Sequence, residues 1–102
     1  MLYKISATFN QDNLKEFYTK LTDGTIASQD PDGKEILASM KRAKIIDIGL
    51  ISWYERCFCA IPLQHERTTV YDHYFETFTP VLVDEVNEDI EGKSFWEYMK
   101  KA

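Results

Sequence analysis

The chain has few of the residues that break, anchor or cross-link a fold. Its 102 residues include only four glycines and three prolines, and no internal repeat or low-complexity tract occurs. This composition excludes a collagen-like or low-complexity disordered chain. Because a second hydrophobic core does not fit into this length, we predict one domain over residues 1–102.

Long apolar runs are also absent. No stretch approaches the roughly 20 apolar residues that a membrane-spanning helix needs. The first residues, Met-Leu-Tyr-Lys-Ile, lack the charged and apolar regions of a signal peptide. We therefore expect a cytoplasmic protein without membrane contact, in which Cys57 and Cys59 are free thiols.

Basic residues are fewer than acidic ones. Twelve lysines and arginines face 17 acidic residues, for a net charge of −5, and no basic stripe runs along the chain. Nucleic-acid-binding proteins usually carry such a stripe, so we expect no nucleic acid as partner. Aromatic residues, in contrast, are abundant: six Tyr, six Phe and two Trp. We expect some of them to cover a pocket or a partner surface.

The first half of the chain predicts a strand and one or two helices. Residues 2–9 alternate apolar and polar, which is typical of a strand. A helix follows, starting at Asp12 or Asn13 and ending at Asp23-Gly24. Residues 25–43 fit either a hairpin that turns at 30–33 or a helix capped by Asp30 with Pro31 in its first turn. The apolar spacing favours the helix.

The second half predicts three strands and two helices. Residues 45–63 are too long for one strand, so we divide them into strands 45–52 and 56–62 with a turn at 53–55. A helix begins near His65 and ends at Thr79-Pro80. A strand over 81–86, an acidic loop over 87–93 and a short helix capped by Ser94 complete the chain.

This order, β-α-(α)-β-β-α-β, indicates an α+β, ferredoxin-like βαββαβ domain with a four-stranded antiparallel sheet and helices on one face. It carries an extra helix after the first helix and a short C-terminal helix. Lys4, Ser6 and Thr8 point to the other face, where a homodimer can close sheet against sheet. The order of elements, the Met1-Leu2-Tyr3 opening and the length resemble the dimeric α/β-barrel proteins, and the segments 29–33 and 62–67 look like signatures of an uncharacterised group among them. The resemblance implies a dimer with a pocket between sheet and helices.

Most candidate functional residues lie in the segment 57–67. On the predicted strand, Cys57 and Cys59 face the same way. With His65, and with Asp72 or His73, they are candidate zinc ligands, but the second pair of a typical zinc site is missing. A reactive thiol next to Arg56, His65 or Arg67 is the other functional reading. We favour core thiols and predict no metal and no cofactor.

His65-Glu66-Arg67 lies at the predicted junction of strand and helix. Histidine titrates near neutral pH, so His65 is our candidate catalytic base. Arg67, Arg56, Glu66, Cys57 and Tyr54 are the candidate ligand-binding residues. Arg67 or Arg56 suits an anionic group because the guanidinium binds carboxylates in a bidentate manner. The structural alternative is that Glu66 only favours the helix start and Arg67 only pairs with an acid.

The leading hypothesis is a homodimer that binds a small organic, anionic molecule and, if it is an enzyme, performs cofactor-free isomerase-like or monooxygenase-like chemistry with His65 as base. The alternative is a non-catalytic regulatory or interaction module, in which the aromatic residues and the acidic loop at 87–91 bind another protein. The sequence does not decide whether the protein is an enzyme.

Overall fold

A five-stranded antiparallel sheet forms the frame of the protein in the computed structural model, which describes residues 1–86 and 89–102. The strands are β1 (Leu2–Phe9), β2 (Lys44–Asp47), β3 (Leu50–Arg56), β4 (Phe75–Val83) and β5 (Lys93–Ser94), in the spatial order β4-β1-β3-β2-β5. The mixed α+β class is thus confirmed, whereas the expected number of four strands is wrong. The fifth strand was missed because its two residues are too few to show alternation.

In the part of the chain that the structure describes, five helical pieces accompany the sheet: α1 (Leu14–Thr22), α2 (Gly33–Arg42), α3 (Gln64–Glu66), α4 (Asp72–Tyr74) and α5 (Phe95–Lys100). A 3₁₀ turn (Gln11–Asn13) precedes α1, and a π-helical turn (Arg67–Tyr71) joins α3 to α4. No helix within residues 1–86 and 89–102 is long and apolar enough to cross a membrane.

One hydrophobic cluster lies between the sheet and the helices. β1 turns Tyr3, Ile5 and Ala7 towards it, in agreement with the alternation of its sequence. The helices and β3 bury their largest side chains there, namely Leu14, Phe17, Ile36, Met40, Trp53, Tyr71 and Phe95. On the opposite face of the sheet, Val86 and Ile90 line clefts together with Lys4, Ser52 and Tyr54.

The predicted α1 and C-terminal helix are confirmed. Asp23 follows the last residue of α1, and Gly24 adopts a φ of 91° there. Asn10 supplies the side-chain cap before α1, however, and neither Asp12 nor Asn13 does. Ser94 caps α5 by accepting a hydrogen bond from Glu97 N at 3.2 Å.

Residues 33–42 form the helix that the apolar spacing favours, and the alternative hairpin is wrong. The helix starts two residues later than expected, since Asp32 and not Asp30 occupies its N-cap. Gly33 explains the start, because a Cβ at this position would lie 2.1 Å from the carbonyl oxygen of Ile26. Only glycine allows the backbone to approach so closely.

The predicted turn at 53–55 is wrong. The chain turns at Ile48-Gly49, where Gly49 has a φ of 69°, and β3 then runs through Trp53 and Glu55 to Arg56. Gly49 was the overlooked signal, since a positive φ in a two-residue turn favours glycine. As a consequence, Cys57 and Cys59 follow the strand and are not part of it.

The boundary between helix and last strand is also corrected. The helical segment ends at Tyr74, and β4 begins at Phe75, so Pro80 lies inside a strand. β4 is an edge strand, where a residue without an N–H group is tolerated. The predicted loop 87–93 lies in part outside the described residues, at Asn87 and Glu88, and its last residue belongs to β5.

We predict that Gly33→Ala destabilises the protein by about 3 kcal/mol, because the backbone must move away from the new Cβ. Urea unfolding followed by circular dichroism measures the loss. Gly24→Ala is the matched control, since its Cβ meets no atom within 4 Å and only the φ of 91° opposes it. That strain costs about 1–2 kcal/mol. Equal losses in the two variants would contradict the role of Gly33.

Candidate functional site

A cleft of about 510 Å³ opens beyond the end of β3. One wall comes from the start of α2 and the other from the chain after β3 and from α3. Its lining residues are Pro31, Asp32, Glu35, Arg56, Cys57, Phe58, Cys59 and His65. The cleft thus combines two carboxylates, two thiols, an imidazole and a guanidinium with one large apolar side chain.

Asp32 and His65 form a pair across the cleft. The Nδ1 atom of His65 contacts Oδ2 of Asp32, and the two side chains are 44% and 24% exposed, His65 being the more exposed. A carboxylate on Nδ1 orients the ring and directs the other nitrogen, Nε2, away from itself. The pair therefore has the arrangement of an oriented general base. His65 was predicted for this role, whereas Asp32 was missed because it is 33 residues away in sequence.

Cys57 is held by the backbone. Its N–H donates to the carbonyl oxygen of Met1 at 2.8 Å, and its own carbonyl accepts from Met1 N at 2.9 Å. The N–H of Cys59 donates to Cys57 Sγ at 3.2 Å, which curls the chain so that the two thiols lie close together. Burial raises the pKa of Cys57 to about 11, so on its own it is a neutral thiol and a poor nucleophile.

Glu66 lies behind the cleft wall and is only 2% exposed. The thiol of Cys59 contacts its Oε1 at 3.9 Å. Burial raises the pKa of Glu66, and the negative charge of Asp32 raises it further. Glu66 was predicted as a ligand-binding residue, but its burial means that only something very small can reach it.

A second buried acid, Glu55, was missed because the sequence placed it in a turn. Its side chain is fully buried, and its Oε1 accepts hydrogen bonds from Trp53 Nε1 at 2.9 Å and from the Tyr71 hydroxyl at 2.7 Å. Its Oε2 has no hydrogen-bond partner within the described residues. Burial is the main reason why the pKa of Glu55 is raised to about 7.

Of the other predicted ligand-binding residues, two line the cleft and two do not. Arg56 lines the cleft, as does Cys57. Arg67 does not line it: its Nε donates to Asp72 at 3.1 Å and its guanidinium lies over the Phe78 ring at 4.9 Å. Tyr54 is on the opposite face of the sheet, in a separate cleft beside Lys44 and Val86, and Arg42 donates to its carbonyl oxygen at 2.8 Å.

Two compact groups of ligand-type side chains share Glu66. In one group, the thiols of Cys57 and Cys59 and a carboxylate oxygen of Glu66 lie within 4.8 Å of one another. In the other group, one ligand atom each of Asp32, His65 and Glu66 also lie within 4.8 Å of one another. Asp72 and His73, the further candidate partners of the cysteines, belong to neither of these groups.

Comparison with known proteins adds no assignment. No protein-family model, no curated protein and no solved structure matches the chain. The resemblance to dimeric α/β-barrel proteins therefore stays a prediction.

We predict that the protein becomes less stable as the pH rises from about 4.5 to about 7. Glu55 has a folded-state pKa of about 7 against an ordinary value of 4.5, so the folded state holds its proton more tightly. The resulting stability is present below pH 4.5 and is lost as the pH rises through 7. Between about pH 5 and pH 8 the loss is on the order of 2–3 kcal/mol.

Urea unfolding at the two pH values, in the presence of EDTA, measures this loss. Glu55→Gln is the test variant, because an amide oxygen can still accept from Trp53 and Tyr71 but does not titrate. Its stability should change much less between the two pH values. Glu76→Gln, which alters an exposed residue of β4, should retain the wild-type dependence. A wild-type slope in Glu55→Gln would show that another group is responsible.

Proposed function

We propose that the protein binds a small organic molecule in the cleft at His65 and transfers a proton to or from it without a cofactor. The observation that carries the proposal is the Asp32–His65 pair, whose imidazole is oriented by a carboxylate and faces an open cleft of about 510 Å³. Clefts of this size with a few convergent polar groups are the usual sites of small ligands.

The remaining residues of the cleft favour a ligand with both polar and apolar parts. Phe58 offers an aromatic surface, since it is 90% exposed at the rim. Arg56 makes no ion pair within the described part of the chain and suits an acidic or carbonyl group of the ligand. His65 accepts the proton, and Asp32 stabilises the imidazolium that results.

The fold proposal is the ferredoxin-like arrangement of the dimeric α/β-barrel proteins. It is supported by the antiparallel order β4-β1-β3-β2, with β5 added beside β2, and by helices that pack on one face. In that arrangement two copies meet through the open face. The proposed dimer must accommodate Val86 and Ile90, because they line clefts on this face.

The alternative is a non-catalytic interaction module, and one observation favours it. Several apolar side chains are exposed, with Phe58 and Ile48 almost fully so. Aromatic side chains are enriched at protein–protein interfaces, where they often act as anchors. On this proposal Phe58 anchors another protein, and the cleft beside it holds no substrate.

A proton-exchange assay tests the catalytic proposal with a panel of small carbonyl acids. Several 2-oxo acids and enolisable ketones are incubated with the protein in D₂O, and deuteration next to the carbonyl is followed by ¹H NMR. We expect faster exchange for at least one compound. His65→Ala should lose a factor of about 100 or more, in the range of general-base contributions of about 10²–10⁴.

Two variants control this assay. His73→Ala removes an exposed histidine that does not line the cleft and should leave the exchange unchanged. Asp32→Asn should slow the exchange while the fold is retained. If His65→Ala remains as active as His73→Ala, His65 is not the base. The interaction module is favoured if no compound exchanges and Phe58→Ala abolishes capture of a purified partner.

We predict a particle of twice 12.0 kDa by size-exclusion chromatography with light scattering, if the dimer forms as proposed. Val81→Asp introduces a charge on β4 and should weaken the dimer, because Val81 is exposed and pairs with Lys4 on the open face. Glu76→Gln at the other end of the same strand serves as control. A monomer at high protein concentration would contradict the dimer.

A further inference from the structure

Cys57, Cys59 and Glu66 form a compact ligand set beside the proposed base. Their two sulfur atoms and one carboxylate oxygen lie within 4.8 Å of one another. Thiolates with a carboxylate or imidazole are ligands of zinc and similar thiophilic cations. We propose that these three residues bind a thiophilic divalent cation of the zinc class.

The backbone prepares the two cysteines for this role. Hydrogen bonds to Met1 fix Cys57 as a continuation of the ladder between β1 and β3. The N–H of Cys59 donates to Cys57 Sγ, and such a bond favours a charged sulfur over a neutral one. The ligand geometry is therefore held by the main chain, and only a small adjustment of side chains is needed on binding.

Glu66 provides an independent observation. It is 2% exposed, and no lysine or arginine pairs with it within residues 1–86 and 89–102. The thiol of Cys59 lies 3.9 Å from its Oε1. A buried carboxylate without a positive partner is costly, and a cation between it and the two sulfurs supplies that partner.

His65 lies beside this set and not inside it. Together with Asp32 it approaches Glu66, but no equally compact set in the described chain combines His65 with a cysteine. We therefore assign three protein ligands to the cation and leave its fourth position to water or substrate in the cleft. Three protein ligands with one open position are typical of catalytic zinc, whereas closed sites with four are structural.

The open position connects the metal site to the proposed base. A cation lowers the pKa of a bound water molecule towards neutrality. A molecule bound at this position would lie beside His65, so joint action of the two sites rests on the proposed role of His65, whereas metal binding by Cys57, Cys59 and Glu66 does not.

Cobalt(II) is the probe, because it takes the place of zinc and is coloured. Reduced, EDTA-treated and dialysed protein is titrated with Co²⁺. We expect a thiolate-to-cobalt charge-transfer band in the near ultraviolet and intense visible bands of a four-coordinate ion, at one ion per chain. Zn²⁺ should bleach both, and the bands should vanish in urea. Their absence in the folded wild-type protein would overturn the metal site.

Matched variants test the ligand set. Cys59→Ser and Glu66→Gln should weaken Co²⁺ binding by a factor of about 10 or more, while Glu76→Gln should not change it. Cys59 is only partly buried, so Cys59→Ser is expected to fold, and circular dichroism with the unfolding midpoint verifies this. Zn²⁺ should raise the melting temperature of the wild type and not of Cys59→Ser. Unchanged Co²⁺ affinity in both ligand variants would contradict the assignment.

His65→Ala separates this inference from the proposed function. It should keep Co²⁺ affinity within about threefold of wild type, although proton exchange is lost. A loss of affinity as large as in Cys59→Ser would make His65 the fourth ligand and overturn the open position. Cobalt binding without any proton exchange would sustain the metal site and reject the proton-transfer reaction.

Discussion

The antiparallel ladder between β1 and β3 is the interaction on which the rest of the structure depends. It pairs Leu2 with Arg56 at one end and Thr8 with Leu50 at the other, and the bonds between Met1 and Cys57 extend it beyond the strands. A shift by one residue would turn Trp53 out of the core and move Cys57 away from Glu66. Register thus determines both the packing and the composition of the cleft.

The same ladder carries an acidic residue into the interior. Trp53 and Glu55 lie on one face of β3 together with Ile51, so the strand that builds the core also buries a carboxyl group. Trp53 and Tyr71 satisfy one oxygen of Glu55, and the other has no partner within the described residues. With Glu66 a short distance along the chain, two acids occupy space that apolar side chains would fill with a greater gain in stability. Such local conflict with packing is common where a protein retains a function.

The parts of the fold with a clear period could be predicted from the sequence. β1, α1, α2 and α5 each show one apolar face bounded by a cap or a glycine, and each was found close to its predicted position. Residues 45–63 could not be divided correctly, because β3 carries an acid, Glu55, on its core-facing side and has Ser52, Tyr54 and Arg56 on the other, so its alternation is weak. Pro80 led to a wrong helix end for a different reason. Proline usually ends a helix, but here it lies in the edge strand β4, and the position of a strand in a sheet is not visible in the local sequence.

Only those residues of the candidate site that are close to one another in sequence could be predicted. Of the predicted site residues, Arg56, Cys57 and His65 line the cleft, and they were grouped because they are near one another in sequence. Asp32 comes from the N-terminus of α2, where the close approach of Gly33 to Ile26 fixes the backbone. Arg67 was predicted as a ligand-binding residue, but it lies two residues after His65, about 200° further around a helix, and pairs with Asp72.

The position of Trp53 gives the protein an internal optical reporter. One of the two tryptophans, Trp53, is buried against Tyr71, Phe75 and Phe78 with its indole N–H on Glu55, while Trp96 lies nearer the surface with Lys41 over its ring. We therefore expect emission at short wavelength from the core, beside Glu55, and emission at longer wavelength from Trp96. Changes at the acidic interior can thus be followed by light, without attaching a label.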